Sequence, residues 1–272
     1  MAMQPETRNL ALFCDFENVA LGVREAKYAQ FDINKVLERL LLKGSIVVKK
    51  AYCDWERYKD FRAAMHYASF ELIEVPHVSQ SGKNSADIRM VVDALDLCYT
   101  KAHVDTFVIL SGDSDFSPLV SKLRENNKTV IGVGVKNSTS NLLIANCDEF
   151  IYYDDLVRVQ KAKLAPRKKA EAKDTAAAAV PANKSDTAKK QEAFDVVLET
   201  VEALIAERGE DEKLWGSMIK QALKRRKPGF NESYYGFKSF NAMLEEAQAR
   251  RLLQLERDEK SGGYLVRLAG DR

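Results

Sequence analysis

An apolar run from Thr106 to Leu110 stops at Ser111-Gly112-Asp113-Ser114-Asp115, and Ser117-Pro118 opens a helix directly after it. A buried strand that ends in a small acidic turn and passes at once into a helix is half of a βαβ unit. The design occurs earlier as well, where Leu10 to Cys14 runs into Asp15-Phe16-Glu17-Asn18. Two strands that both end in aspartate gather carboxylates at one edge of a sheet. In open α/β sheets that edge, outside the carboxyl ends of the strands, is where ligands bind.

The remaining pattern up to residue 158 fits the same plan. β-branched or apolar runs at 45–52, 70–75, 130–135 and 150–153 read as strands. Between them lie helical segments. Asp32 is positioned to cap a helix with Ile33, Val36, Leu37 and Leu40 on one face, which Gly44 ends. Glu56 to Tyr67 and Asn141 to Asn146 read as further helices. From Ser85 a stronger helix begins, and Ile88, Val91, Val92, Leu95 and Cys98/Tyr99 define its expected buried face. Asp87 falls in its first turn, where free N–H groups favour a carboxylate, and Asp93 and Asp96 are expected in solvent. Ser117 is the expected N-cap of the helix reaching Asn126, with Pro118 at its first position. Residues 15–31 and 78–84 read as polar loops. Alternating strands and helices predict an α/β fold with a mostly parallel sheet covered on both faces.

A chain of 272 residues leaves room for a second domain. Residues 159–190 change character: from 161 on there are nine bases, three acids and almost no large apolar residues, a net of +6. Such a segment buries too little surface to fold alone and reads as a basic linker. Fully flexible, 30 residues would span about 30 Å. Residues 191–270 contain three apolar helical stripes, around Phe194–Ile205, Trp215–Leu223 and Phe237–Arg250. Strand-like runs at 252–255 and 264–268 flank Ser261-Gly262-Gly263. Three helices and a hairpin describe a winged helix.

Net charge is only +2, so a nucleic-acid surface has to come from local clustering. No apolar run reaches the ~20 residues that cross a bilayer, and Met1 to Asn9 is polar. Cys14, Cys53, Cys98 and Cys147 show no zinc-type spacing and read as reduced thiols. The expectation is a cytoplasmic protein without a membrane partner.

Asp15, Asp87 and Asp113, with Asp115 as a fourth, are the candidate catalytic and metal-ligating residues. Bare carboxylates ~5 Å apart repel by about 3 kcal/mol at an effective dielectric near 20. A hard cation offsets that directly, and oxygen ligands without His or Cys select Mg²⁺ or Mn²⁺. Such an ion activates a water for attack on phosphorus. Asn18, Lys83 and Ser111 stand beside the acids as substrate-side residues. An aspartate after a parallel strand also caps turns, so the combination carries more weight than any single residue. His66, His77 and His103 lack ligand spacing, and no G-x-G-x-x-G loop follows the first strand.

The runs Leu12 to Asn18, Lys83 to Asp87, Leu110 to Phe116 and Asn141 to Asp148 together resemble the NYN domain, in its LabA-like branch. The resemblance covers residues 8–158. It implies a Rossmann-like PIN/NYN α/β/α sandwich and metal-dependent RNA cleavage, with the family's acids at Asp15, Asp87 and Asp113 and with Asp115 and Asn18 beside them. Residues 191–268 are similar to the OST-HTH module, also called LOTUS, on Gly229-Phe230, Tyr235 to Phe240 and Gly263 to Val266. That module implies RNA binding or, in some members, a protein partner. Arg225, Arg226, Lys227 and Lys238 would contact phosphates, and Tyr234 or Tyr235 would stack on bases. The expected activity is an endoribonuclease for single-stranded or loop RNA. The alternatives are a non-catalytic RNA-binding adaptor and a haloacid-dehalogenase-like phosphatase, although Glu17 stands where the latter chemistry wants a second aspartate.

Overall fold

The computed structural model describes residues 8–75, 85–164, 184–209, 212–258 and 262–269. The chain forms two units, one from Glu6 to Arg167 and one made chiefly of Lys168 to Arg272. In the first, β1 (Arg8–Asp15), β2 (Gly44–Cys53), β3 (Glu71–Glu74), β4 (Thr106–Leu110), β5 (Thr129–Gly134) and β6 (Glu149–Tyr152) make one sheet. Its order is β3-β2-β1-β4-β5-β6, and every pairing is parallel. Parallel neighbours need crossovers. These are α1 (Phe16–Glu25) with α2 (Ile33–Lys43), then α3 (Lys59–Tyr67), α4 (Ser85–Thr100), α5 (Ser117–Glu125) and α6 (Asn141–Asn146). A last helix, α7 (Tyr153–Leu164), follows β6.

Helices on both faces explain why the central strands β1, β4 and β5 are apolar without alternation. Leu10, Leu12, Cys14, Val108 and Leu110 enter the core under α1, α2, α3 and α7. Ala11, Phe13, Phe107 and Ile109 enter the core under α4, α5 and α6. The strand order reverses between β1 and β4, and that is where a doubly wound sheet opens a crevice.

Four expectations are corrected. Residues 16–25 are helical, not loop: Phe16, Val19 and Val23 are buried along one side, a stripe masked in sequence by Glu17, Asn18, Arg24 and Glu25. Gly22 lies within that helix, at a point where a Cβ would come 2.3 Å from Ser138 Oγ. The buried residues of α4 are Met90, Ala94 and Cys98, with Val91, Leu95 and Leu97 packed beside them, so Ile88, Val92 and Tyr99 face outward. α4 is apolar on more than one side, and periodicity alone does not select the side that docks. Asp93 is not solvated but accepts hydrogen bonds from Tyr52 Oη at 2.9 Å and Arg89 Nε at 3.0 Å. Ser117 does not cap α5: a 3-10 turn, Ser114–Phe116, precedes that helix, and Asp113 caps the turn.

The second unit contains α8 (Lys184–Arg208), α9 (Gly216–Arg226), α10 (Phe240–Ala249) and the antiparallel pair β7 (Leu253–Arg257) and β8 (Tyr264–Leu268). Trp215 makes a further antiparallel bridge to Leu265. Phe194, Val201, Leu223, Phe240 and Leu244 are among its buried residues. α7 and α8 enter the expected linker from both ends, and its middle, 165–183, lies outside the described residues.

Candidate active site

Cys14 pairs with Leu110 in the sheet register, so Asp15 and Ser111 stand together where β1 and β4 end. Ser111 Oγ donates to Asp15 Oδ2 at 3.0 Å and accepts from the Asp113 amide at 3.1 Å. The Asn18 side-chain oxygen accepts from the Gly112 amide at 2.8 Å, while the Asn18 amide approaches Asp15 Oδ1 at 3.4 Å. The turns after β1 and β4 are therefore cross-linked, and the orientation of Asp15 is fixed from both. Asp113 Oδ1 accepts from the Asp115 amide at 2.9 Å. Gly112 is required by the close approach of a neighbouring loop: a Cβ would lie 2.3 Å from the Ser138 carbonyl oxygen.

Asp87 joins these acids from the first turn of α4. It lies three residues before Met90 and seven before Ala94, in line with the residues that face the sheet. Burial, then the Asp87 charge, pushes Asp15 up to about 7, with Asp113 adding to the rise and the bonds from Ser111 and Asn18 opposing it. Burial, then Asp113, Asp115 and Glu17, pushes Asp87 up to about 6. Among the described residues no lysine or arginine pairs with any of these four acids; the nearby Glu17 has Arg57 at 3.4 Å. The group is thus a set of like charges under mutual repulsion, with oxygen donors only. That chemistry fits a hard divalent cation. Among the described residues no three acidic, histidine or cysteine side chains are gathered into a finished cage. Mg²⁺ needs none, since one or two carboxylates with waters and substrate phosphate suffice.

The NYN domain family matches residues 9–154, a span that holds both turns and all four acids. The chain belongs to the NYN domain family. NYN domains are members of the PIN-like nuclease superfamily. Over 150 residues the chain is 29% identical to an uncharacterized protein of Methanocaldococcus jannaschii, covering 53% of this chain and 56% of that protein. The match therefore spans little more than half of that relative. A crystal structure of a protein of unknown function from Vibrio parahaemolyticus is 29% identical at a TM-score of 0.50, covering 57% of this chain and 98% of that one.

Within the NYN domain, the Asn18 side-chain oxygen and the Ser111 hydroxyl are bonded to the protein: Ser111 is fully buried, and its hydroxyl ties Asp15 to the turn of Asp113. Lys83 and His77 lie outside the described residues. The sequence did not foretell a groove of about 720 Å³ beside the acids, which Asp87 and Asp115 share with Ile88, Val92, Ser117 and Leu142. No periodicity signal marks it, because its apolar residues read as core.

In the second unit Lys227 and Lys238 are exposed and Arg225 is partly buried. Arg226 corrects the expectation of a phosphate contact. Its side chain is only 7% exposed and donates to Glu199 at 2.9 Å and Thr200 at 3.2 Å. Tyr235 stacks on Phe230 with centroids 5.2 Å apart and meets Tyr234 edge-on at 5.0 Å. Tyr234 is exposed, and Lys189 Nζ lies 5.4 Å from its ring centroid.

Proposed function

We propose that the chain is a metal-dependent endoribonuclease acting on single-stranded or loop RNA. One observation carries this reading: at the switch point of a doubly wound sheet, Asp87 and Asp113 raise the proton affinity of Asp15, and Asp113 and Asp115 raise that of Asp87, without a compensating lysine or arginine among the described residues. Holding charge in that way costs stability, and binding a cation, which can then take a phosphodiester as a further ligand, would recover it. A bound Mg²⁺ or Mn²⁺ would neutralise the acids and supply Lewis acidity at the scissile phosphate. Asp15, fixed by Ser111 and Asn18, is the anchor; Asp87 and Asp113 act on it directly, and Asp115 acts on Asp87. Water attacks phosphorus, the 3′ oxygen leaves, and the products carry a 5′-phosphate and a 3′-hydroxyl.

The second unit, read as a winged helix of the OST-HTH type, would hold the RNA. Supporting this are its three helices and hairpin, the exposed Lys227 and Lys238, and the Phe230-Tyr235-Tyr234 ring cluster. Bases stack on such rings with little sequence preference.

The acids do not form a finished cage, and this favours one other reading, an adaptor that grips RNA without cutting it. Incubating labelled single-stranded RNA with the purified chain in Mn²⁺, Mg²⁺ or EDTA, beside Asp113→Asn, decides between them. Cutting that requires both metal and Asp113 is the expected result. Intact RNA with a salt-sensitive gel shift would establish the adaptor, and cutting that survives in Asp113→Asn would overturn the site.

A further inference from the structure

The groove beside the acids is bounded by three elements. α4 contributes Ile88, Val91 and Val92, α5 and the turn before it contribute Ser114, Ser117 and Pro118, and α6 contributes Leu142. Ile88, Val92 and Leu142 are 62%, 55% and 57% exposed. An apolar cluster left in water next to a polar site marks a surface that something covers.

The polar part of the lining narrows the choice of occupant. Ser117 is 7% exposed, and its Oγ is buried with no hydrogen-bond partner among the described residues. A buried hydroxyl without a partner costs free energy that a ligand's donor or acceptor would recover. Neither the 3-10 turn nor α5 uses this hydroxyl, since Asp113 already caps the turn. Ser114 and Ser121 add two further hydroxyls to the lining. The occupant therefore has flat or bulky apolar surface and a polar edge that both gives and takes hydrogen bonds. A volume of about 720 Å³ lies within the range of small-ligand sites.

Continuity supplies the last constraint. Asp87 and Asp115 belong both to the groove and to the acid cluster. A single ligand can therefore reach the acids with one part and the groove with another. Resting on the nuclease reading, which places a phosphate at the acids, we propose that this groove is a nucleobase subsite for the nucleotide flanking the scissile phosphate. The base lies against Ile88, Val92 and Leu142, and its edge reaches the Ser117 hydroxyl. Unstacked bases are held elsewhere between apolar side chains in the same way. Hydroxyls donate as well as accept, so the subsite admits every base and senses chiefly whether one is present.

The test uses the full chain with labelled Ile, Val and Leu methyl groups, in Mg²⁺, titrated with adenosine 5′-monophosphate, uridine 5′-monophosphate or ribose 5-phosphate. None of these is a phosphodiester, so cleavage does not intrude. The Ile88, Val92 and Leu142 methyl signals should move with both nucleotides and stay in place with ribose 5-phosphate. An Ile88→Ser/Val92→Ser variant, changed only at exposed positions, should bind both nucleotides about tenfold or more weakly, the scale of one lost base contact. Equal shifts with ribose 5-phosphate, no shifts with nucleotide, or shifts that follow protein concentration alone would each overturn the proposal, the last pointing to a second copy of the chain. Base-dependent shifts in a chain that cuts no RNA would keep the subsite and remove the nuclease. Metal-dependent cutting without base-dependent shifts would do the reverse.

Discussion

The carboxyl edge of the sheet and the second unit handle charge in opposite ways. In the second unit the described ion pairs bring opposite charges together: Lys190 with Glu246 at 2.9 Å, Lys220 with Glu232 at 2.8 Å, and Arg226 with Glu199 at 2.9 Å. At the sheet edge, charges of one sign are collected, and two of them are driven toward neutrality. The first arrangement serves folding, since a charge leaving water finds a partner. The second opposes folding and persists because the cross-linked turns after β1 and β4 and the docking of α4 on the sheet impose it. A place where a fold tolerates such repulsion is a place where function has shaped it.

The largest expected effect that would break this contrast is on activity. Asp113→Asn should lower metal-dependent RNA cleavage by about a thousandfold or more, the scale of losing a charged group that acts on the transition state, while the fold is kept. Equal cleavage rates for the two chains would show that the repulsion at the edge has no catalytic purpose.

The next effect is on stability. Asp15 and Asp87 have folded-state values of about 7 and about 6 against an ordinary value of 3.8. Between pH 4 and 7 the folded chain thus holds more protons at these groups than the unfolded chain. Their contribution favours folding below about pH 4 and is lost as pH rises through about 6 for Asp87 and about 7 for Asp15. For Asp15 alone the loss is about 4 kcal/mol. In EDTA, the denaturant midpoint should fall across this window, Asp15→Asn should flatten the fall, and Mn²⁺ should reverse it by binding only the folded chain. A midpoint independent of pH and metal would mean that the acids are relaxed and well solvated.

Glu199→Ala tests the other side and should act with the opposite sign. It leaves the Arg226 guanidinium buried with only Thr200 Oγ1 among its described acceptors. The cost should be about 2 kcal/mol, below the usual range for a fully buried pair because Glu199 is itself 44% exposed. An unchanged midpoint would show that the paired charges of the second unit are no more useful to folding than those of the sheet edge.

These differences bear on what the sequence could disclose. The sheet was legible because its central strands β1, β4 and β5, buried on both faces, are apolar nearly throughout, and six strand-like runs alternate with helical segments up to Tyr153. Asp15, Asp113 and Asp115 were legible because each interrupts the chain where an apolar run ends. Asp87 was placed by its position in a first turn. The rotation of α4 was not legible: Ile88 and Val92 satisfy the helical period as well as Met90 and Ala94 do, and only the sheet decides which pair docks. The helix at 16–25 was hidden because its buried stripe is thin and its polar residues dominate the composition. The pairing of Arg226 depends on Glu199, twenty-seven residues away on another helix, and no local pattern reports it.

The smallest expected effect concerns the charges left over in the second unit. Lys227 and Lys238 are exposed, and neither has an ion-pair partner among the described residues, so they are among the cations there that remain available to a phosphate. Each contact with a backbone phosphate releases counterions and adds about one unit to the dependence of log affinity on log salt. Lys227→Ala and Lys238→Ala should each weaken binding of single-stranded RNA severalfold at low salt and reduce that slope by about one. The losses should be similar for all sequences, because phosphate contacts carry no base information. Arg226→Ala should instead act through folding and leave the salt slope of the remaining folded protein unchanged. If it reduced the slope as Lys227→Ala does, the ion pair with Glu199 would have to open on RNA binding, and the division between charges that fold the chain and charges that serve its ligand would not hold in this unit.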